Sequence, residues 1–250
     1  MDLQLTGKRA LVTGASRGIG KEIARALAAE GADVVVASRG LEALQAAAAE
    51  IAQATGRRVE PIAADTGDDA SVLALVSAAV AAFGGVDILV NNAAAVGGGG
   101  GSFPNMASDK LIADLNVKVA GYMRTAQAAA PHMIAGGWGR IINIGGVAAR
   151  MTYNPFGSMR NAAISALSAN LANELGPKGV TVNTVHPGFT MTERSSEAFE
   201  KRAIELNTIG RAVHAREVAW LVTMLASPLC GAINGETILG GGGLKGAISY

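Results

Sequence analysis

At 250 residues, with 50% hydrophobic and 16% charged side chains, the chain is long enough to bury a sizeable core and fits one large α/β domain, since no linker interrupts it. Lys and Arg number 21 against 20 Asp and Glu, a formal net charge of +1, which leaves no basic surplus for nucleic acid or an anionic membrane surface. A single cysteine, Cys230, excludes an internal disulfide and a thiolate metal cluster, and the scattered His132, His186 and His214 show no ligand spacing, so no metal site is expected. The opening residues M-D-L-Q-L-T-G-K lack a charged-then-apolar signal pattern, and Gly and polar residues break every Ala-rich stretch before membrane-spanning length. A cytoplasmic protein with small soluble ligands is the expectation.

Short apolar runs alternate with Ala-rich amphipathic stretches, the pattern of parallel strands joined by helices. The first run predicts a strand over 8–13 that leads through G-A-S-R-G-I-G into a helix over 18–30. This layout suits the pyrophosphate of a dinucleotide. Gly14 permits the sharp turn, Gly18 lets the backbone approach the phosphates, Gly20 lets the helix pack close to the strand, and the helix N-terminal amides face the anion. A second strand over 33–37 ends at Ser38-Arg39, about 20 residues past the glycines, where a ribose-reading side chain belongs. No carboxylate stands there. Arg39, helped by Arg17, offers planar cationic donors to a 2'-phosphate, so NADP(H) is favoured over NAD(H).

Further along, the pattern predicts helices over 40–55, 69–83, 107–135, 158–175 and 214–226, and strands over 58–63, 87–91, 139–144, 179–185 and 236–239. The expected architecture is a single Rossmann-type, doubly wound α/β domain over 1–250: a seven-stranded parallel sheet with helices on both faces. Loops after Val12, Ala37, Val90, Ile144 and Val185 then line one cleft beyond the carboxyl ends of the strands. Substrate loops are expected at about 95–105, 147–157 and 190–205. The five consecutive glycines at 97–101 cost ordering entropy and read either as a substrate lid or as a spacer.

With this glycine turn, N-N-A-A at 91–94, L-N-V at 115–117, G-R-I-I-N-I at 139–144 and H-P-G at 186–188, the chain resembles the short-chain dehydrogenases/reductases over residues 5–243. The resemblance implies an oxidoreductase that transfers hydride between NADP(H) and a small carbonyl, alcohol or related enone or imine. It implies coenzyme contacts from Ser16, Arg17 and Ile19 in the turn, from Ser38 and Arg39, from Asp65 and Thr66 at the adenine, and from Asn92, Ala93 and Ala94 near its ribose. Pro187, Gly188 and Thr190 fall at the nicotinamide end, and Asn116 matches the family's holder of a proton-relay water.

The family's remaining catalytic set, a Ser after the fifth strand and a Tyr-x-x-x-Lys at the start of the next helix, is missing. Gly145 or Gly146 stands at the Ser position, with Phe156 and Arg160 at the Tyr and Lys positions. Arg160 keeps the capacity to hydrogen-bond the nicotinamide ribose, but Phe156 has no proton to give, and a positioned acid is worth ~10² to 10⁴ in rate. Tyr153 is a candidate substitute acid, its competing reading being an aromatic that covers the cleft or packs on a neighbouring subunit. A substrate that needs no strong acid, such as an iminium, is the other route. The alternative function is an NADP(H)-binding protein that has lost catalysis and acts as a sensor or structural subunit. Small residues along the 158–175 helix, among them Ala162, Ala166 and Ala169, permit close helix contact, and the resemblance implies a homodimer or homotetramer.

Overall fold

Both faces of each central strand are apolar, and that dictates helices on either side of the sheet. The computed structural model describes residues 1–94, 105–152 and 154–246. Strands β1 (Arg9–Thr13), β2 (Asp33–Ser38), β3 (Val59–Ala63), β4 (Ile88–Asn91), β5 (Gly139–Ile144) and β6 (Val180–His186) appear in chain order, followed by a small separate pair, β7 (Thr190–Met191) and β8 (Val213–His214), and by β9 (Thr237–Leu239). Seven of them form one parallel sheet in the order β3-β2-β1-β4-β5-β6-β9. The order reverses between β1 and β4, and a crevice opens at the carboxyl ends of strands at such a switch point.

Within β1, Ala10 and Val12 point into one core and Leu11 into the other. The first core is closed by Ile23 and Leu27 of α1 (Gly18–Ala29), Leu44 and Ile51 of α2 (Leu41–Thr55), and Val218 and Val222 of the C-terminal helix. The second is closed by Leu75 and Val76 of α3 (Asp69–Phe83), Ala129 and Met133 of α5 (Gly121–Ala135), and Ala172 of α6 (Pro155–Leu175). The expected seven strands and doubly wound sheet are therefore present, with helices on both faces.

Two departures from the sequence expectation are local. The stretch expected as one helix over 107–135 is α4 (Ser108–Leu115) and α5, joined by a π-helical turn at Asn116–Ala120. The extra residue in that turn rotates its side chains relative to the helices on either side, and such turns recur at functional sites. The stretch expected as a loop at 190–205 holds β7 and most of α7 (Glu197–Leu206), which precedes α8 (Ala215–Ala226). Ser196 caps α7, its hydroxyl accepting from the Phe199 amide at 3.2 Å, with Glu197 and Glu200 favourably placed in the first turn. The loop expected at 147–157 is partly helical, since Val147–Arg150 forms a 3-10 turn and α6 starts at Pro155. The glycine run at 97–101 lies outside the described residues.

Gly20 is where the first helix meets its strand. A Cβ there would stand 2.4 Å from the Gly14 carbonyl oxygen, whereas one at Gly136 would meet nothing nearer than 3.5 Å. Gly20→Ala is expected to lower the unfolding free energy by about 1 to 3 kcal/mol in a denaturant titration, as overpacking does, and Gly136→Ala to change it by less than about 0.5 kcal/mol.

Candidate functional site

The carboxyl ends of β1 to β4 surround a cleft of about 470 Å³. Gly14 makes the turn out of β1 at a φ of +67°, and a Cβ on it would lie 2.9 Å from the Ala93 Cα. Only glycine fits that approach. Asn92 locks the two strand ends together: its side-chain amide donates to the Thr13 and Gly14 carbonyls at 3.2 and 3.0 Å, while the Thr13 hydroxyl accepts from the Asn92 and Ala93 backbone amides at 3.0 and 3.1 Å. The first helix starts at Gly18; its N-cap residue Arg17 offers no side-chain cap, and the Gly18 amide donates instead to the Glu193 carboxylate at 3.1 Å, at the edge of the cleft.

Of the residues that the sequence assigns to a coenzyme, Gly14, Ser16, Arg17, Gly18 and Ile19 line the cleft beside β1, and Ser38 and Arg39 line it beside β2. Asp65, Thr66, Asn92, Ala93 and Ala94 complete the wall. Gly20 sits behind it, serving the close packing described above. Arg194 also lines the cleft and was not anticipated, because no motif marks it. Among the described residues, Arg17, Arg39 and Arg194 form no ion pair, so three guanidinium groups stand uncompensated around the cleft. A glycine-lined cradle, a helix start whose first amide already holds a carboxylate, and guanidiniums without an ion pair fit an elongated anion carrying several phosphates, which would take the place of Glu193.

Pro187, Gly188 and Thr190 follow β6, outside the main cleft. The Pro187 carbonyl accepts from the Val147 amide at 2.9 Å, and Gly188 borders a small hollow with Val147, His186 and Phe189. Asn116 opens the π-helical turn with both ends of its amide engaged, Nδ2 on the Gly67 carbonyl at 3.0 Å and Oδ1 accepting from Arg124 at 2.9 Å. Phe156 is buried on α6, and Arg160, one turn on, pairs with Asp114 of α4 at 2.6 Å. These two side chains lie toward α4 and line neither hollow. Tyr153 lies outside the described residues.

One residue beyond Arg160, a rotation of about 100°, Asn161 turns to the end of β5 instead. It is buried there beside Lys118, which the π-helical turn directs inward; like Phe156 and Arg160, these two side chains line neither hollow, and they lie behind Gly145 and Gly146. The Lys118 ammonium donates to the Gly145 carbonyl at 2.9 Å and to Asn161 Oδ1 at 3.1 Å. Burial pushes its pKa down to about 7, the Arg160 charge adding to the effect and Asp114 opposing it. The glycines at the family's Ser position have a packing reason. A Cβ on Gly145 would stand 2.1 Å from His186 Nδ1, and one on Gly146 would stand 2.7 Å from Asn161 Nδ2.

His186 is buried, with Nδ1 accepting from the Gly146 amide at 2.9 Å. The ring proton therefore sits on Nε2, 3.1 Å from the Ser165 hydroxyl. Desolvation, and then the charges of Lys118 and Arg150, lower its pKa to about 4, so it is neutral at pH 7. Sequence reading missed Lys118 and Asn161 because neither stands at a position where the family pattern carries chemistry.

Comparison with known proteins agrees with this arrangement. Residues 8–203 match the short chain dehydrogenase family. A 3-oxoacyl-acyl-carrier-protein reductase of Vibrio cholerae is 36% identical over 97% of this chain and 99% of its own. Among solved structures, a short chain dehydrogenase of Burkholderia cenocepacia in complex with NADP is 40% identical, with a TM-score of 0.87 over 96% of this chain and 98% of that one. The L-sorbose reductase of Gluconobacter frateurii, complexed with NADPH and L-sorbose, superposes with a TM-score of 0.92 at 29% identity, over 99% of this chain and 100% of that one. The glycine turn, the switch-point cleft and these likenesses together place the chain in the short-chain dehydrogenase family of oxidoreductases.

Proposed function

We propose that this oxidoreductase binds NADP(H) in preference to NAD(H) and transfers hydride between its nicotinamide and a small carbonyl, alcohol, enone or imine, working as a single dinucleotide-binding domain. The observation that carries the coenzyme reading is the trio of unpaired guanidiniums, with no carboxylate following β2 to repel a 2'-phosphate. The NADP- and NADPH-bound neighbours support it.

When bound, the coenzyme supplies or accepts the hydride; all else falls to the chain. The Gly14–Gly18 backbone and the first-turn amides of α1 would hold the pyrophosphate once Glu193 releases the Gly18 amide, Arg39 and Arg17 would bind the 2'-phosphate, and Asp65 would flank the adenine. Asp65 is pre-set for this by its own turn, its Oδ1 accepting from the Gly67 amide at 2.8 Å. The Pro187–Gly188 turn, tied to Val147, backs the nicotinamide end. His186 is a hydrogen-bond acceptor for Gly146 and not an acid at neutral pH. Arg160 would have to leave Asp114 to clamp a ribose. A cytoplasmic homodimer or homotetramer fits the family; no helix among the described residues is long and apolar enough to cross a membrane.

Calorimetric titration with NADPH and NADH tests the coenzyme reading. NADPH should bind at least about tenfold more tightly, and Arg39→Ala should remove about 1.5 to 3 kcal/mol of NADPH binding while leaving NADH nearly unchanged, as loss of a charge-assisted hydrogen bond does. Equal affinities, or an Arg39→Ala effect common to both coenzymes, would refute the preference.

A second test concerns His186. Its folded pKa of about 4 lies below the unfolded value of about 6.5, so between them the unfolded chain binds a proton that the native chain excludes. Stability is expected to fall as pH drops from about 6.5 toward about 4, and urea titrations of His186→Asn should show a smaller fall over that window.

A further inference from the structure

Lys118 and Asn161 form a connected polar pair at the end of β5, and among the described residues three of its N–H donors, one on Lys118 and two on Asn161 Nδ2, meet no acceptor. An ammonium carries three N–H donors, and Lys118 uses two of them, on the Gly145 carbonyl and on Asn161 Oδ1. Because Oδ1 faces the ammonium, the Asn161 amide has one orientation: Nδ2 is turned away from the lysine and stands where a side chain on residue 146 would begin, 2.7 Å from that Cβ position. Among the described residues, neither Asn161 Nδ2 nor the third Lys118 proton meets an acceptor. The family's catalytic Ser would have grown from Gly146 into the volume that this amide fills. Beside it the backbone is fixed by His186, which holds the Gly146 amide, and by the Val147 amide on the Pro187 carbonyl.

We propose that Lys118 and Asn161 are the oxygen-binding and proton-donating pair of this enzyme, replacing the Ser and Tyr that the family uses. The proposal rests on the hydride-transfer reading above. In reduction, Asn161 Nδ2 donates a hydrogen bond to the substrate oxygen. As hydride from the reduced coenzyme forms the new C–H bond, the carbonyl π pair moves onto that oxygen; a Lys118 N–H bond breaks, an O–H bond forms, and Lys118, buried in the coenzyme-free fold, is left as a neutral amine that takes its proton back from water admitted as the product leaves. An amine that titrates near neutrality suits this exchange, since both of its forms are populated under working conditions. The charged or titratable groups around it are Asp114 from α4, Arg160 from α6, Tyr122 from α5 with its ring centre 6.0 Å from the ammonium, and His186 from β6. Of these, Tyr122 is pushed to a higher pKa by burial and gives its hydroxyl to the Ile144 carbonyl at 3.0 Å, and His186 is neutral. Arg160 gives its guanidinium to Asp114 at 2.6 Å.

The test compares wild type with Lys118→Met, Lys118→Gln and Asn161→Ala, first for NADPH affinity and then for turnover on a ketone and on a preformed iminium. Expected are NADPH dissociation constants within about threefold of wild type, ketone turnover lowered by ~10² to 10⁴, and iminium turnover lowered by less than about tenfold, because an iminium needs no proton. In coenzyme-free protein labelled with ¹³C-lysine, one Cε resonance should titrate near pH 7 and be absent from Lys118→Arg. Any variant that fails to bind NADPH is set aside in favour of the other two. If wild type reduces ketones and the variants do so within threefold, the pair is not the donor and the hydride-transfer reading stands. If no lysine titrates below about pH 9.5, Lys118 is an ordinary structural amine and the proposal fails. A wild type that binds NADPH yet reduces nothing overturns this proposal together with the hydride-transfer reading, and a wild type that binds no coenzyme removes the cofactor reading beneath both.

Discussion

The Asn92 amide, spanning the Thr13 and Gly14 carbonyls at 3.2 and 3.0 Å, holds together the two strand ends between which the sheet order reverses. Everything at the cleft depends on that clamp. It closes only because Gly14 carries no Cβ to strike Ala93, and because Gly20 carries none to strike the Gly14 carbonyl. With the ends of β1 and β4 fixed this closely, the start of α1 is held over the crevice, where its Gly18 amide already binds a carboxylate oxygen, that of Glu193. The guanidiniums of Arg17, Arg39 and Arg194 line the same cleft without taking part in the clamp.

Much of this was legible in the chain. Parallel strands buried on both faces are nearly continuous apolar runs, so V-V-V-A and I-L-V announce β2 and β4 without any tertiary information. The glycine turn is legible for a related reason, since steric demand singles out one residue type. What escaped was set by packing partners. The break between α4 and α5 is marked only by Gly121 at its far end, which reads in the sequence as one small residue of a helix; it comes from a π-helical turn whose Val117 carbonyl accepts from the Thr66 hydroxyl at 3.1 Å. The α7 helix escaped because its buried contribution is small, Ala203 being its one fully enclosed side chain.

The reacting end was the least legible, and the reason is angular. Matching the Tyr-x-x-x-Lys spacing places Phe156 and Arg160 at the functional positions, but on a helix one residue of register is about 100° of direction. In the structure Arg160 goes to Asp114 and Asn161 goes to the strand end. A side chain donated by a different helix, Lys118, leaves no trace in the local pattern of α6 at all. The two glycines at 145 and 146 look like losses in the sequence; in the fold they are the spaces that His186 and Asn161 occupy.

Energetics argue that this replacement is not incidental. A buried ammonium loses its hydration, a penalty of several kcal/mol that its two hydrogen bonds must repay, so packing alone gives no reason for Lys118. Its neighbours do not remove the cost: Asp114 and Arg160 neutralise each other, and each keeps a buried polar atom, Oδ1 and Nε, without a partner among the described residues. Incompletely satisfied polar groups are confined to few places in native proteins, and functional sites are prominent among them. Of the three such atoms among the described residues, two belong to the α4–α6 ion pair whose charges act on Lys118, and the third, Arg57 Nε, stands apart beside Asp33, while the apolar cores on either face of the sheet supply the stability that lets such groups persist.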